Sequence, residues 1–144
     1  EVFVNADDIA ASLLDVPVDQ RDARGGRIAI ETMDDLVRQR RSFAIETTLS
    51  GRSLAKRIET ARNDGYYVVL LLLWIPTVEE CLKRVRLRVR SGGHDIPDVD
   101  VVRRYERCYE NFHELYKGIS HAWTVYDASL PNPRPIQQGQ SDGP

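Results

Sequence analysis

The chain of 144 residues has a hydrophobic content of 42% and a formal net charge of −2 from 20 basic and 22 acidic side chains, which predicts one globular domain. This balance excludes a strongly basic nucleic-acid or membrane-surface protein, and the apolar run 66–75 is too short to span a bilayer. Cys81 and Cys108 lack the spacing of a disulfide framework or metal site, so we expect a cytoplasmic protein.

Apolar runs that end in polar residues alternate with segments of helical periodicity. In chain order, the pattern predicts strand 1–5, helices 9–14 and 27–40, strand 42–47, helix 54–63, strand 66–75, helices 77–91 and 97–117, and strand 123–126. Continuous apolar strands are typical of sheets with helices on both faces. We therefore predict an α/β fold with a doubly wound parallel sheet.

The predicted domain covers residues 1–130. The remaining residues, 131–144, are rich in proline, glycine and glutamine and contain few apolar side chains. Such a composition buries too little apolar surface to offset the entropy of ordering, so we expect this tail to be disordered.

An acidic residue lies at or just beyond the end of three predicted strands. Asp7 follows the first strand, Glu46 closes the second, and Asp127 closes the last. Because ligands of open parallel sheets bind at the carboxyl ends of the strands, these carboxylates predict a cleft that binds Mg²⁺, sugar hydroxyls or a hydroxyl to be deprotonated. The alternatives are structural: Asp7 or Asp8 can cap the following helix, and for Asp127 we favour turn chemistry.

Arginines are dense on both sides of a glycine pair. Arg84 and Arg88 are one helical turn apart, Gly92 and Gly93 follow, and further arginines begin at position 103. Like charges one turn apart repel unless an anion is near, so the cluster indicates a lid that closes over phosphates. The alternative is a solvated helix face, and His94 in the same loop can be a simple hydrogen-bonding residue.

Four segments together resemble the zeta-toxin-like P-loop kinases of bacteria. These segments are NADDIA at 5–10, FAIETTLSGRS at 43–53, the arginine-rich stretch 84–112 and VYDAS at 125–129. The resemblance covers nearly all of the chain up to residue 130. It implies a P-loop kinase fold, ATP and Mg²⁺ as cofactors, a small-molecule substrate that is a nucleotide sugar in better characterised members, and an antitoxin partner.

The resemblance also implies roles for individual residues. Asp7 would act as the base on the substrate hydroxyl. Substrate contacts would come from residues near the first two strand ends, namely Asn5, Glu46, Thr48 and Arg52. Arg84, Arg88 and Arg104 would meet the nucleotide phosphates, with Gly92, Gly93 and His94 forming the lid loop. The better characterised toxins carry an arginine where this chain has Ser50, and Arg52 stands two residues later.

The main departure from the family is the phosphate-binding loop. No G-x-x-x-x-G-K-[ST] string occurs in the chain. In this family the loop would precede the first strand, so we expect a domain truncated at its N-terminus that lacks the central strand of the sheet and is inactive alone. The alternatives are a degenerate, non-catalytic module that binds a protein partner and, with less support, nucleic-acid binding through the arginines.

Overall fold

The computed structural model describes residues 2–93 and 95–141. The chain divides into two compact units, residues 1–47 and 48–144, and each is described by itself. Both units contain helices and parallel strands. The prediction of a mixed α/β protein is therefore confirmed.

The first unit is a parallel strand pair with two helices. Its elements are strand β1 (Val2–Asn5), helix α1 (Ala6–Ser12), helix α2 (Val18–Arg38) and strand β2 (Phe43–Glu46). Val2 pairs with Phe43 and Asn5 with Glu46, so the carboxyl ends of the two strands lie side by side. Val4, Ala29 and Leu36 form the core, which partly buried apolar residues of β1, α1 and β2 surround.

Helix α2 begins nine residues earlier than the sequence predicts. The helix runs through Gly25 and Gly26, which directly precede its predicted start. At Gly25 the reason is a close approach, because a Cβ there would lie 2.7 Å from the Ala6 carbonyl oxygen and 2.8 Å from the Ala10 Cβ. Glycine at this position lets α1 and α2 pack in direct backbone contact.

The second unit carries the larger sheet. Its elements are α3 (Ser53–Asn63), β3 (Val69–Trp74), α4 (Val78–Arg90), α5 (Asp98–Asn111), a π-helical turn (Phe112–Tyr116), α6 (Lys117–Ile119), β4 (Ala122–Asp127) and β5 (Arg134–Gln140). Thr77 caps α4, because its hydroxyl accepts the Glu80 N–H, and a glycine with positive φ follows both α3 and α4. The sequence predicted these helix ends correctly.

The tail is an ordered strand, so the prediction of disorder over 131–144 is wrong for its described part. Strand β5 pairs antiparallel with β4, and the sheet order is β3-β4-β5 with β3 and β4 parallel. The ring of Trp123 lies against Gly139, where a Cβ would come within 2.5 Å of the ring. The tail has few apolar side chains to bury, so its order comes from backbone hydrogen bonds to the open edge of β4.

The described sheet is thus mixed rather than wholly parallel. One face of β3 is also exposed, contrary to the expectation of helices on both faces. Val69, Leu71 and Leu73 are 55%, 60% and 62% exposed, whereas Leu72 on the opposite face is buried. The core on that opposite face includes Phe112 and Trp123, whose rings meet edge to face at 5.9 Å.

Within the described residues, no helix combines the length and apolar character that crossing a bilayer requires.

Candidate functional site

The two strand ends of the first unit are joined by Asn5. Its side-chain oxygen accepts the backbone N–H groups of Asp7 at 2.9 Å and Asp8 at 3.4 Å, so Asn5 is the N-cap of α1. Its side-chain amide donates to the Glu46 carboxylate at 2.9 Å. One residue therefore both starts the helix and orients the carboxylate that ends the neighbouring strand.

Asp7 is left available by this arrangement. The structural alternative, that Asp7 or Asp8 caps α1, is wrong because Asn5 occupies the cap position. The side chain of Asp7 is exposed in the first helical turn. Among the residues that the structure describes, its carboxylate has no hydrogen-bond or ion-pair partner. A carboxylate without a partner at a strand end is able to accept a proton from a bound hydroxyl.

Asp127, at the end of β4, has a structural role. Its carboxylate accepts the backbone N–H of Ser129 at 2.8 Å. Hydrogen bonds from the side chain and backbone of Ser129 lower the pKa of Asp127. This is the turn chemistry that the sequence favoured, so Asp127 is not counted among the candidate catalytic groups.

The loop that follows β2, residues 48–52, belongs to the second unit, and two buried residues of the same unit bind its carbonyl groups. The side-chain amide of Asn111 donates to the Leu49 carbonyl at 2.8 Å, and the Tyr116 hydroxyl donates to the Gly51 carbonyl at 2.6 Å. Leu49 is buried with a φ of 53°, a strained conformation for a branched residue. The two hydrogen bonds stabilise this conformation, so the loop is preorganised.

Asn111 and Tyr116 were missed by the sequence reasoning. The signal available was an asparagine and a tyrosine near the end of a helix, and it does not reveal which carbonyls they bind. On the exposed side of the same loop, the Thr48 and Ser50 hydroxyls lie 2.8 Å apart. The guanidinium of Arg52 lies 3.9 Å from the Glu114 carboxylate, and both side chains are exposed.

The arginines of α4 differ in their surroundings. Arg84 donates to the backbone carbonyl of Ala128, which ties it to the end of β4. Arg86 forms an ion pair of 2.8 Å with Asp98 across the loop between α4 and α5. Arg88 and Arg104 are both exposed on their helices. All three predicted phosphate-binding arginines are therefore exposed, and Arg84 in addition contacts the backbone at the end of β4.

The loop between α4 and α5 needs both of its glycines. Gly92 has a φ of 87°, which favours glycine, and a Cβ at Gly93 would lie 2.5 Å from the Arg88 Cγ. The Gly93 N–H donates to the Arg88 carbonyl at 2.9 Å, which closes the end of α4. His94, the third predicted lid residue, lies outside the described residues.

The part of the chain that the structure describes contains no preformed metal site. No group of three histidine, cysteine, aspartate or glutamate side chains is placed there to hold an ion. A magnesium ion held mainly by the phosphates of its nucleotide needs only one or two protein carboxylates, and Asp7 and Glu46 are of the right chemical type.

The fold and the strand-end residues define a mixed α/β protein with polar groups at the carboxyl ends of parallel strands. The chain is 36% identical over 105 residues to a protein of Haemophilus influenzae described as an uncharacterized protein, and the match covers 73% of this chain and 75% of the relative. The chain belongs to the same family as that protein. No protein-family model matches the chain, and no solved structure matches it.

Proposed function

We propose that this chain is the substrate-binding and lid portion of an ATP-dependent phosphotransferase of the zeta-toxin type. Its phosphate-binding loop would come from a segment outside these 144 residues. The observation that supports this proposal is the strand pairing: β1 pairs with β2 and β3 with β4, both parallel, in two separate sheets of the described structure. In P-loop kinases the strand before the phosphate-binding loop lies in the middle of the sheet. Removing it leaves two parallel pairs.

The exposed face of β3 is a second support. Val69, Leu71 and Leu73 form an apolar row, and burying the part of each side chain that is still exposed would stabilise the fold by about 1–2 kcal/mol. Strand β3 pairs only with β4 among the described strands, so its other edge is open. A strand paired with that edge and a helix laid over the row are what a β-α unit with a phosphate-binding loop would supply.

The residues of this chain then have separate tasks. Asp7 accepts the proton of the substrate hydroxyl, and Glu46, oriented by Asn5, binds neighbouring hydroxyls of the substrate. Arg88 and Arg104 stabilise negative charge on the transferring phosphoryl group. When bound, Mg²⁺-ATP supplies that phosphoryl group and the metal neutralises charge on its oxygens. The substrate is a small molecule with a free hydroxyl, of nucleotide-sugar type.

The test begins with the protein that includes the residues encoded upstream of Glu1. We expect ATP-dependent phosphorylation of a hydroxyl substrate, and loss of at least ~100-fold in Asp7→Asn with nucleotide binding retained, because only the base is removed. Asp8→Asn is the matched control, since Asp8 is also exposed in the first turn of α1. Unchanged turnover in Asp7→Asn, or absence of ATP binding, would refute the proposal.

A non-catalytic binding module is the second candidate. The open edge and exposed apolar row of β3 favour it as well, because a partner protein such as an antitoxin could cover the same surface. The upstream residues distinguish the two candidates. A lysine-containing phosphate loop there supports the kinase, and its absence together with a stable complex supports the binding module. Two free thiols are consistent with a cytoplasmic protein in either case.

A further inference from the structure

Three aromatic rings of the second unit form an open depression at the carboxyl end of β3. Trp74 lies 5.2 Å from Tyr105 and 5.1 Å from Tyr109, measured between ring centroids. Tyr105 and Tyr109 are one turn apart on α5, so both can face the same side chain. Together with Glu106 and Glu110, the rings line a depression of about 390 Å³, which we call the aromatic face.

Packing of α5 onto β3 accounts for only part of this face. Tyr105 is held in place, because its hydroxyl donates to the Pro76 carbonyl at 2.9 Å. Tyr109, in contrast, is 49% exposed, although its ring contacts both Trp74 and His113. An aromatic ring that is half exposed beside two others leaves π surface available to a ligand.

The charge of the aromatic face is negative. Glu106 and Glu110 are exposed and one helical turn apart, so their charges repel each other. Neither carboxylate has an ion-pair partner among residues 2–93 and 95–141. Aromatic ring faces also carry negative electrostatic potential, so rings and carboxylates together favour a cation and disfavour phosphorylated ligands.

We propose that the aromatic face binds a cationic side chain, arginine above all, presented by a partner protein. The planar guanidinium group stacks on an aromatic ring while it donates hydrogen bonds to carboxylates, which a compact ammonium group does less well. The depression is open, and one cation on an exposed ring contributes only weakly to binding. Such a site is effective as one anchor of a larger interface rather than as a site for a free small molecule.

This inference does not depend on the proposed kinase activity, because every residue of the aromatic face is distinct from the candidate catalytic residues. It also requires no segment from outside the chain. Failure of one proposal therefore leaves the other unaffected.

The experiment uses the full 144-residue chain and two synthetic peptides. One peptide alternates arginine with glycine, and the other replaces each arginine with citrulline, which keeps the shape of the side chain and removes its charge. The chain contains two tryptophans, so two indole N–H signals report separately in a two-dimensional NMR spectrum. Assignment comes from Trp74→Phe. We expect the arginine peptide to shift the Trp74 signal and to leave that of buried Trp123 unchanged.

Matched variants separate the aromatic face from general charge. The double variant Glu106→Gln/Glu110→Gln should weaken arginine-peptide binding by about tenfold, since it removes both carboxylates. The control Glu31→Gln/Glu59→Gln changes net charge equally at exposed positions of α2 and α3, and it should have less than about a twofold effect. Tyr109→Phe keeps the ring and should retain binding, whereas Tyr109→Ala should weaken it.

Three results would overturn the inference. Equal binding of the citrulline peptide would show that charge is not recognised. Equal weakening in the two double variants would show that only net charge matters. A Trp74 signal that does not move at saturating arginine peptide would show that the aromatic face is not the site.

Discussion

Adjacent glycines in helix α2 give a sharp test of packing within the first unit. A Cβ at Gly25 would lie within 3 Å of atoms of Ala6 and Ala10, whereas a Cβ at Gly26 would have no heavy atom within 4 Å. Neither glycine has a positive φ, so alanine fits the backbone at both positions. The two substitutions differ only in what the new methyl group meets.

The expected magnitudes follow from two opposing effects. Alanine in place of glycine within a helix stabilises by about 0.5–1 kcal/mol, so Gly26→Ala should raise the free energy of unfolding by that amount. At Gly25 the same gain is opposed by overpacking, which costs about 1–3 kcal/mol. The contacting atoms of α1 are backbone and Cβ atoms that cannot rotate away. Because the helix-propensity gain cancels, the two variants should differ by about 2 kcal/mol.

Urea denaturation followed by far-ultraviolet circular dichroism measures both variants against the parent chain. Equal slopes of unfolding free energy with urea would allow the midpoints to be compared directly. We expect the Gly26→Ala midpoint to rise and the Gly25→Ala midpoint to fall. If Gly25→Ala stabilises as much as Gly26→Ala, helices α1 and α2 do not approach one another at this point, and the account of the first unit is wrong.

Three further predictions concern the second unit. Gly139→Val places side-chain atoms against the Trp123 ring and should lower the free energy of unfolding in urea by about 1–3 kcal/mol. The control Gly118→Ala should not lower it, because a Cβ there meets no heavy atom within 4 Å. Equal stability of the two variants would argue against the β5 pairing. Burial raises the pKa of the Cys108 thiol to about 11. Its thiolate fraction at pH 8 is therefore lower than in the unfolded chain, and iodoacetamide should modify it about tenfold more slowly. Mass spectrometry of the alkylated protein measures this rate. The unfolded thiol loses its proton at lower pH than the folded one, so Cys108 should also lower the free energy of unfolding as the pH rises from about 9 to 11. The melting temperature of the parent chain should therefore fall more over this pH range than that of Cys108→Ala. An equal fall in the two proteins would contradict this.

The sequence was sufficient for elements whose signals are local. The apolar runs placed β2, β3 and β4 to within a few residues, and cap residues such as Thr77 and Gly92 placed the ends of α4. The sequence led us to expect Asp7, Glu46 and Asp127 at one rim of a sheet. The structure shows Glu46 hydrogen-bonded to Asn5 at the paired ends of β1 and β2, whereas Asp127 ends a strand of the other described sheet.

The errors occurred where a distant part of the chain decides the outcome. The early start of α2 depends on the packing of α1 against Gly25, and the tail reads as disordered until the edge of β4 is available for pairing. Likewise, the apolar run of β3 indicates two covered faces but does not say what covers them. The hydrogen bonds from Asn111 and Tyr116 to the loop carbonyls depend on a π-helical turn, which the residue pattern does not predict.

The π-helical turn at Phe112–Tyr116 determines how that loop is held. In a regular α-helix, residues five apart are rotated by about 500°, so Asn111 and Tyr116 would point in different directions. A hydrogen bond from residue i to i+5 places them nearly one above the other, which lets both reach carbonyls only two residues apart. The widened turn acts as a spacer of one residue. If the same five residues took up regular α-helical geometry instead, Tyr116 would be rotated away and the loop released, even though no atom of the loop itself had changed.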